Sequence, residues 1–318
     1  SSPAGVGSKK AKPYVMLGAH YDHLGRGGHG NSLAKKAERG QVHNGADDNA
    51  SGVAAVLAAG ARLAKAVRGR DIVLAFWSGE EMGLLGSSNF VKKAPVPPEK
   101  IAAYVNFDMV GRMRDNKLTV QAVGTSSIWN RLIEQVNVPV GFDIKLNEDP
   151  YLPTDVTTFS QARVPAINFF TGGHEDYHRP TDEPSRINYQ DLERVVQFGA
   201  RMAEKLANLD EPPDYTQVAR LTPTGGGRDS LRAFTGTIPD YTTEVEGLLL
   251  GGVIEGGPAE EAGLREGDII VEFAGQKITN IYDYTYALDA VKIGEPIKVI
   301  FLRDGERKEV ALTPRARK

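Results

Sequence analysis

Between residues 14 and 206, short apolar runs alternate with segments of helical periodicity. Residues 14–19 (YVMLGA), 71–77 (DIVLAFW), 101–110 (IAAYVNFDMV), 117–123 and 165–170 (PAINFF) read as strands. The most continuously apolar of them fit strands buried on both faces. Residues 51–67, 83–93, 126–136 and 190–206 read as helices, with Ser51 a candidate N-cap. Buried strands separated by helix-length connections pair in parallel, so the pattern predicts an α/β sandwich with a largely parallel sheet. Right-handed crossovers gather the loops after the strands at one edge of such a sheet. That edge would carry His20, Glu80, Glu81, Asp108 and His178.

At 318 residues the chain is long enough for two domains. Residues 210–228 are rich in Pro, Gly and Thr, and after them the pattern changes to short strands with Gly-rich turns. The expected organisation is therefore a first domain over 1–209, a linker over 210–229 and a second domain over 230–318. A net charge of -3 and a pI near 6.1 argue against nucleic acid or an anionic membrane as partner. With no cysteine, neither disulfides nor thiolate metal sites are available, so any metal would bind through nitrogen and oxygen. The longest apolar stretch, residues 53–64, falls short of a membrane span and is interrupted by Arg62. No signal peptide is visible. The abrupt Ser-Ser-Pro opening, followed by a Gly/Lys-rich stretch, reads as a fragment of a longer precursor.

Each chemically interesting segment also has an ordinary explanation. In His20-Tyr21-Asp22, strand alternation would put His20 and Asp22 on one side. Asp22 would then hold one ring nitrogen while the other binds a metal. A polar strand end with a surface ion pair is the plainer reading. Asp47 and Asp48 stand before a helix, where acids are favoured anyway, yet a carboxylate can also bridge two ions. Glu80 and Glu81 follow a buried strand; one could ligate metal while the other acts as general base. Asp108 closes an apolar strand, where an unpaired carboxylate is costly. His178 has Asp182 nearby as a candidate orienter. Two histidines and at least three carboxylates without thiolates suit zinc, with cobalt or manganese also acceptable.

The motifs AHYDHLG, NGADDNASG, WSGEEMGLLGS, VNFDMVG and YHRPTDE, in that order over residues 14–208, resemble the co-catalytic dizinc aminopeptidases. Those are relatives of glutamate carboxypeptidase, glutaminyl cyclase and the transferrin receptor. The resemblance implies a three-layer sandwich with a mixed, mainly parallel sheet and two zinc ions per chain. It puts His20 and Asp108 on one zinc, Glu81 and His178 on the other, and Asp48 between them, with Asp47 as nearest rival. Glu80 would be the general base, Asp22 would orient His20, and the Tyr177 hydroxyl would help hold the oxyanion. It further implies peptide substrates, an extracytoplasmic location, and more chain before the first strand than the dozen residues present. His23, His29, His43 and His174 are read as solvated or substrate-contacting side chains, with a third metal as the other reading. Asp155 is read as an acidic pocket residue or as a cap of the next helix. Glu175 and Asp176 are candidates for holding a substrate α-amine.

Residues 230–314 resemble a bacterial-type PDZ domain, through GLLLGGV, Gly257-Pro258-Ala259, Ala262-Gly263-Leu264 and Gly267-Asp268-Ile269-Ile270. A PDZ domain accepts an extended peptide at a sheet edge. The loop receiving the peptide carboxylate is expected near residues 244–249. A domain that only packs on the peptidase is the alternative. At the level of the whole chain, the alternatives to an aminopeptidase are a carboxypeptidase, a glutaminyl cyclase and a catalytically silent binding protein.

Overall fold

The computed structural model describes residues 12–28, 32–66, 69–93, 95–218, 233–240 and 245–316. The Gly/Lys-rich opening (1–11), His29, Val67 at the end of the expected first helix, residues 219–229 of the expected linker and Glu244 lie outside the described residues.

The first part of the chain runs β1 (Tyr14–His20), α1 (Gly52–Leu63), β2 (Ile72–Trp77), α2 (Leu85–Lys93), β3 (Ile101–Phe107), β4 (Lys117–Gln121), α3 (Trp129–Asn137), β5 (Asp143–Asn147), α4 (Val156–Gln161), β6 (Ala166–Phe170) and α5 (Tyr189–Ala207). Its sheet has the order β2-β1-β3-β6-β4-β5. All pairings are parallel except β4 with β6. The sheet is thus mixed and mainly parallel, as expected. β5 is the strand that the sequence does not announce: DIKLN lies at an edge and buries almost nothing.

Alternation along the strands divides the core into two layers. Val15 and Leu17 of β1 pack with Val105, Phe107, Ile167 and Phe169 against α1, α3 and α5. Met16 faces the other way, with Trp77, Tyr104 and Phe159, toward α2 and α4. Truncating a fully buried aromatic such as Phe107 to alanine would cost about 3–5 kcal/mol. α5 starts at a true cap, where the Asn188 side chain accepts the N–H of Asp191. Ser51 is not such a cap. Its backbone is already helical, and its hydroxyl donates to the Asp47 carbonyl at 2.7 Å and accepts the Val110 N–H. Gly52 explains why α1 can begin there. A Cβ at this position would lie 2.4 Å from the Phe107 carbonyl oxygen, so only glycine lets the helix start touch the end of β3.

Residues 214–218 of the expected linker lie against this first unit. Ser126 and Ser127 donate to Asp214, the Tyr215 hydroxyl donates to the Ser160 carbonyl, and the Thr216 N–H donates to Thr125.

The second unit is β-rich: β7 (Ala233–Phe234), β8 (Thr237–Pro239), β9 (Leu248–Val253), α6 (Pro258–Glu261), β10 (Ile269–Phe273), β11 (Gln276–Lys277), α7 (Ile281–Ala290), β12 (Ile297–Arg303), β13 (Glu306–Leu312) and β14 (Arg315–Ala316). Its core gathers Leu248, Leu250, Ile270, Phe273, Val299 and Phe301 with Ala259, Leu264 and Tyr284. Asp268 is fully buried and receives Arg303 through two 2.7 Å hydrogen bonds, the paired geometry that makes such a burial tolerable.

The topology corrects the expected position of the peptide-receiving loop. The sheet order is β13-β12-β10-β9-β8, so β9, which begins at Leu248 within the expected loop, is flanked on both sides. Among the described residues the sheet ends in β13 on one side and β8, the strand beside β9, on the other. Asp240 N and Gly236 O both turn toward β9 and its continuation, so by alternation Thr237 turns its N–H and C=O outward. A peptide adding as a strand would meet Thr237, and the preceding loop would be residues 235–236.

No helix among the described residues is long and apolar enough to cross a membrane. The two units touch through Arg39 and Glu255 at 2.8 Å, an exposed pair of the kind worth at most about 1 kcal/mol.

Candidate metal centre

Four loops meet above the C-terminal ends of β1, β2, β3 and β6. His20 is the last residue of β1 and is buried. Asp108 comes one residue after β3, its N–H held by the Phe169 carbonyl. Glu80 and Glu81 sit in the turn after β2, and their backbone N–H groups point to the Asp22 carboxylate at 3.1 and 3.4 Å. Asp48 lies in the loop before α1. The Asp182 carboxylate accepts the N–H groups of Asp47 and Asp48 at 2.9 and 3.1 Å, and Asn49 ties the loop to the Phe107 carbonyl. His178 enters from the loop after β6, at a φ of 54°.

Asp48 stands between the two histidines. Its Oδ1 is 3.3 Å from His20 Nε2, and its Oδ2 is 3.2 Å from His178 Nε2. Asp108 Oδ1 lies 3.4 Å from His20 Nε2, and Glu81 Oε2 lies 3.1 Å from His178 Nε2. Zinc bonds of about 2.0–2.2 Å in a tetrahedron put neighbouring donor atoms about 3.3 Å apart. Each of the two histidine nitrogens stands near that spacing from two carboxylate oxygens, a donor set that suits zinc. Glu80 falls outside it, 4.0 Å from His20 Nε2.

Charge points the same way. Burial, and then Glu81, Asp108 and Asp155 nearby, push the Glu80 carboxyl well above its usual range. Burial alone would lower the pKa of His178, but Glu81 and Asp48 overcome it and raise it to about 10. His20 is raised in the same manner by Glu80, Asp108, Asp22 and Asp48. Burial works against ionised Asp48, yet His178 and His20 hold it well below the ordinary carboxylate range. Buried carboxylates in this number need positive charge close by. Without metal the imidazolium protons supply it, and metal binding must displace them.

The family model of Peptidase family M28 matches residues 4–203, more than half of the chain. The chain belongs to that family. A PDZ-domain model matches residues 251–303. An aminopeptidase of Pseudomonas aeruginosa (strain UCBPP-PA14) is 40% identical over 98 residues, 30% of this chain and only 15% of that protein's length. Among solved structures, a zinc aminopeptidase from Bacillus subtilis superposes with a TM-score of 0.51 at 23% identity, over 61% of this chain and 48% of that one. A glutaminyl cyclase of Bacteroides thetaiotaomicron does so with a TM-score of 0.52 at 19% identity, over 62% and 74%. At these identities both are likenesses of fold.

Within the M28 domain, several residues stand differently from expectation. Asp22 holds His20 more closely through its backbone than through its carboxylate. His20 Nδ1 is 3.1 Å from the Asp22 carbonyl and 3.7 Å from its carboxylate, which also accepts the N–H groups of the glutamate turn. Asp182 orients the Asp47–Asp48 backbone rather than His178. Asp47 turns away from the donor set, its Oδ1 accepting the Gly111 N–H at 2.6 Å and its Oδ2 facing His174 at 3.1 Å. His43 and His174 are buried and His23 nearly so, rather than solvated. Asp176 is buried against Arg112 and Arg186, at 3.1 and 3.4 Å, so its charge is already matched within the protein.

Two further M28 residues flank the centre. Tyr177 stacks on His178, with ring centroids 3.8 Å apart. Asp155 makes no capping bond to α4. It is buried, accepts the Ser87 hydroxyl through Oδ1 and leaves Oδ2 without a partner; burial pushes it to about 7. His23, expected to be solvated or substrate-contacting with metal binding as the other reading, forms with Asp48 and Glu81 a second group of metal-capable side chains beside His20, Asp48 and Asp108.

Proposed function

We propose that this chain is an aminopeptidase that works with two zinc ions, removing N-terminal residues from peptides. The observation that carries the proposal is Asp48, whose two carboxylate oxygens each stand at ligand spacing from a different histidine. His20, Asp48 and Asp108 would hold one zinc, and Asp48, Glu81 and His178 the other. Bound there, zinc supplies a water acidic enough to deprotonate near neutral pH and a Lewis acid for the peptide carbonyl.

The chain's own residues do the rest. Glu80, outside ligand spacing, takes the proton of the attacking water on its carboxylate and returns it to the leaving amine. Tyr177, set in place by its stacking on His178, offers its hydroxyl to the developing oxyanion. Asp22 fixes the turn that presents Glu80 and Glu81. Aminopeptidase similarity and a full set of donors favour this over the carboxypeptidase, cyclase and silent-binder alternatives. We place the protein outside the cytoplasm on its family resemblance; a fused reporter that is active only in the cytoplasm would reverse that placement.

The test is metal content per chain, paired with hydrolysis of free-amine and N-blocked peptides. The expected result is two zincs, with cleavage confined to free-amine substrates. One zinc with activity on N-terminal glutamine would make the chain a cyclase, and activity confined to N-blocked substrates a carboxypeptidase. No metal and no activity would leave a binding protein.

For the PDZ domain, over the proposed 230–318, we infer peptide capture at the open edge of β8. Thr237→Pro removes the outward N–H and is expected to weaken binding of a labelled peptide selected on the wild-type chain at least about tenfold. Hydrolysis of a dipeptide substrate should not change. Unaltered peptide binding would move the capture site elsewhere.

A further inference from the structure

We propose that His23 is a positioning residue of the metal centre: its Nδ1–H donates to Glu81 Oε1 and so keeps Glu81 a one-oxygen ligand through Oε2. The inference rests on the two-zinc reading.

The two oxygens of Glu81 are shared out. Oε1 is 2.9 Å from His23 Nδ1, and Oε2 is 3.1 Å from His178 Nε2. An ionised carboxylate can only accept, so the proton of this bond sits on His23 Nδ1. In the neutral ring Nε2 is then a bare acceptor. That nitrogen is buried without a hydrogen-bond partner, a state tolerable for an acceptor and costly for an N–H.

His23 could instead be a ligand, since Asp48 and Glu81 stand beside it. The distances argue otherwise. Its Nδ1 is closer to Glu81 than the 3.3 Å or so between neighbouring zinc ligands, and at 3.8 Å it is farther from Asp48 Oδ2 than that spacing allows. One short contact and one long contact describe a hydrogen-bond donor.

The ring is also fixed in place. A Cβ at Gly45 would lie 2.7 Å from His23 Cγ and Cδ2, so the glycine makes room for the imidazole. The His178 ring meets His23 edge-on, with centroids 5.8 Å apart. A carboxylate released from this hydrogen bond can turn and chelate with both oxygens. That would fill a coordination position which a hydrolytic site must leave open.

The test compares His23→Ala, His23→Asn and His23→Gln. The amide of Asn reproduces an N–H near Nδ1, and that of Gln one near Nε2. Affinity for zinc is measured by competition with a chromophoric chelator, and coordination is read from the visible absorption of the cobalt(II)-substituted protein. Metal-free thermal melts check that each variant folds.

His23→Ala and His23→Gln should bind the weaker zinc about 10–100-fold less tightly, with a fainter cobalt band as coordination number rises. His23→Asn should stay within about threefold of wild type, as expected where one hydrogen bond carries the effect. If Ala does not fold, the contrast between Asn and Gln decides. Ala at wild-type affinity with an unchanged band would overturn the proposal. Asn as weak as Ala would also overturn it, and would make the imidazole a ligand. Wild-type protein holding a single zinc would reject the two-zinc reading, and a His23→Ala affinity equal to wild type for that ion would reject this proposal too.

Discussion

Glu80→Gln is expected to retain two zinc ions per chain and to turn over substrate about 10²–10⁴-fold more slowly than wild type. The substitution keeps the size of the side chain and removes its ability to carry a proton. Glu80 is the carboxylate outside the donor spacing, so its loss should leave the metal ligands in place. Burial and three neighbouring acids also push this carboxyl well toward holding a proton. Zinc content by elemental analysis, set beside kcat and kcat/KM, checks the expectation. Retained turnover would remove Glu80 from the role of general base. A drop in metal content would make it a ligand.

Asp48→Ala should have a different signature, the loss of both ions together. Each oxygen of Asp48 faces one histidine, so both clusters lose a donor at once. Wild-type protein with free zinc about a thousandfold above Kd gains about 4 kcal/mol of stability from each site. A chelator should therefore lower the melting temperature of wild type markedly and that of Asp48→Ala hardly at all. Activity should fall to background. If the variant still melted higher with zinc, held one ion tightly and kept its affinity for it, Asp48 would not join the two sites. Asp47→Ala separates the two aspartates. It breaks contacts to Gly111 and His174, and is expected to cost stability rather than metal affinity.

The parts of this molecule legible from sequence are those where burial leaves a strong signal. β1 and β3 are buried along almost their whole length, so their apolar runs announce both the strands and the loops that follow them. Asp108 stood out because a carboxylate at the end of such a run must be compensated. β5 was missed because an exposed edge strand needs no apolar residues.

The site shows the same limit in finer detail. Asp22 was expected on the same side as His20 from strand alternation, but β1 stops at His20, and past a strand end alternation no longer applies. The work of Asp182 on the Asp47–Asp48 backbone and the seating of His23 over Gly45 depend on contacts between distant segments. Local periodicity says nothing about those. The peptide edge was misplaced for a related reason. The Gly-rich run at 247–253 marks a strand, but only its pairing shows that β9 is interior and β8 outermost.

The clasp between Asp182 and the loop at Asp47 and Asp48 joins residues 135 apart in the chain. A polypeptide emerging from the ribosome exposes His20, Asp48, Glu81 and Asp108 long before it exposes His178 and Asp182. Until those last residues are out, the aspartate loop lacks the Asp182 carboxylate that holds its backbone, and Asp48 and Glu81 lack His178. A chain cut short anywhere upstream is therefore a protein without a finished centre. Sequence distance thus delays completion of the metal centre until the last segment of the domain has been made.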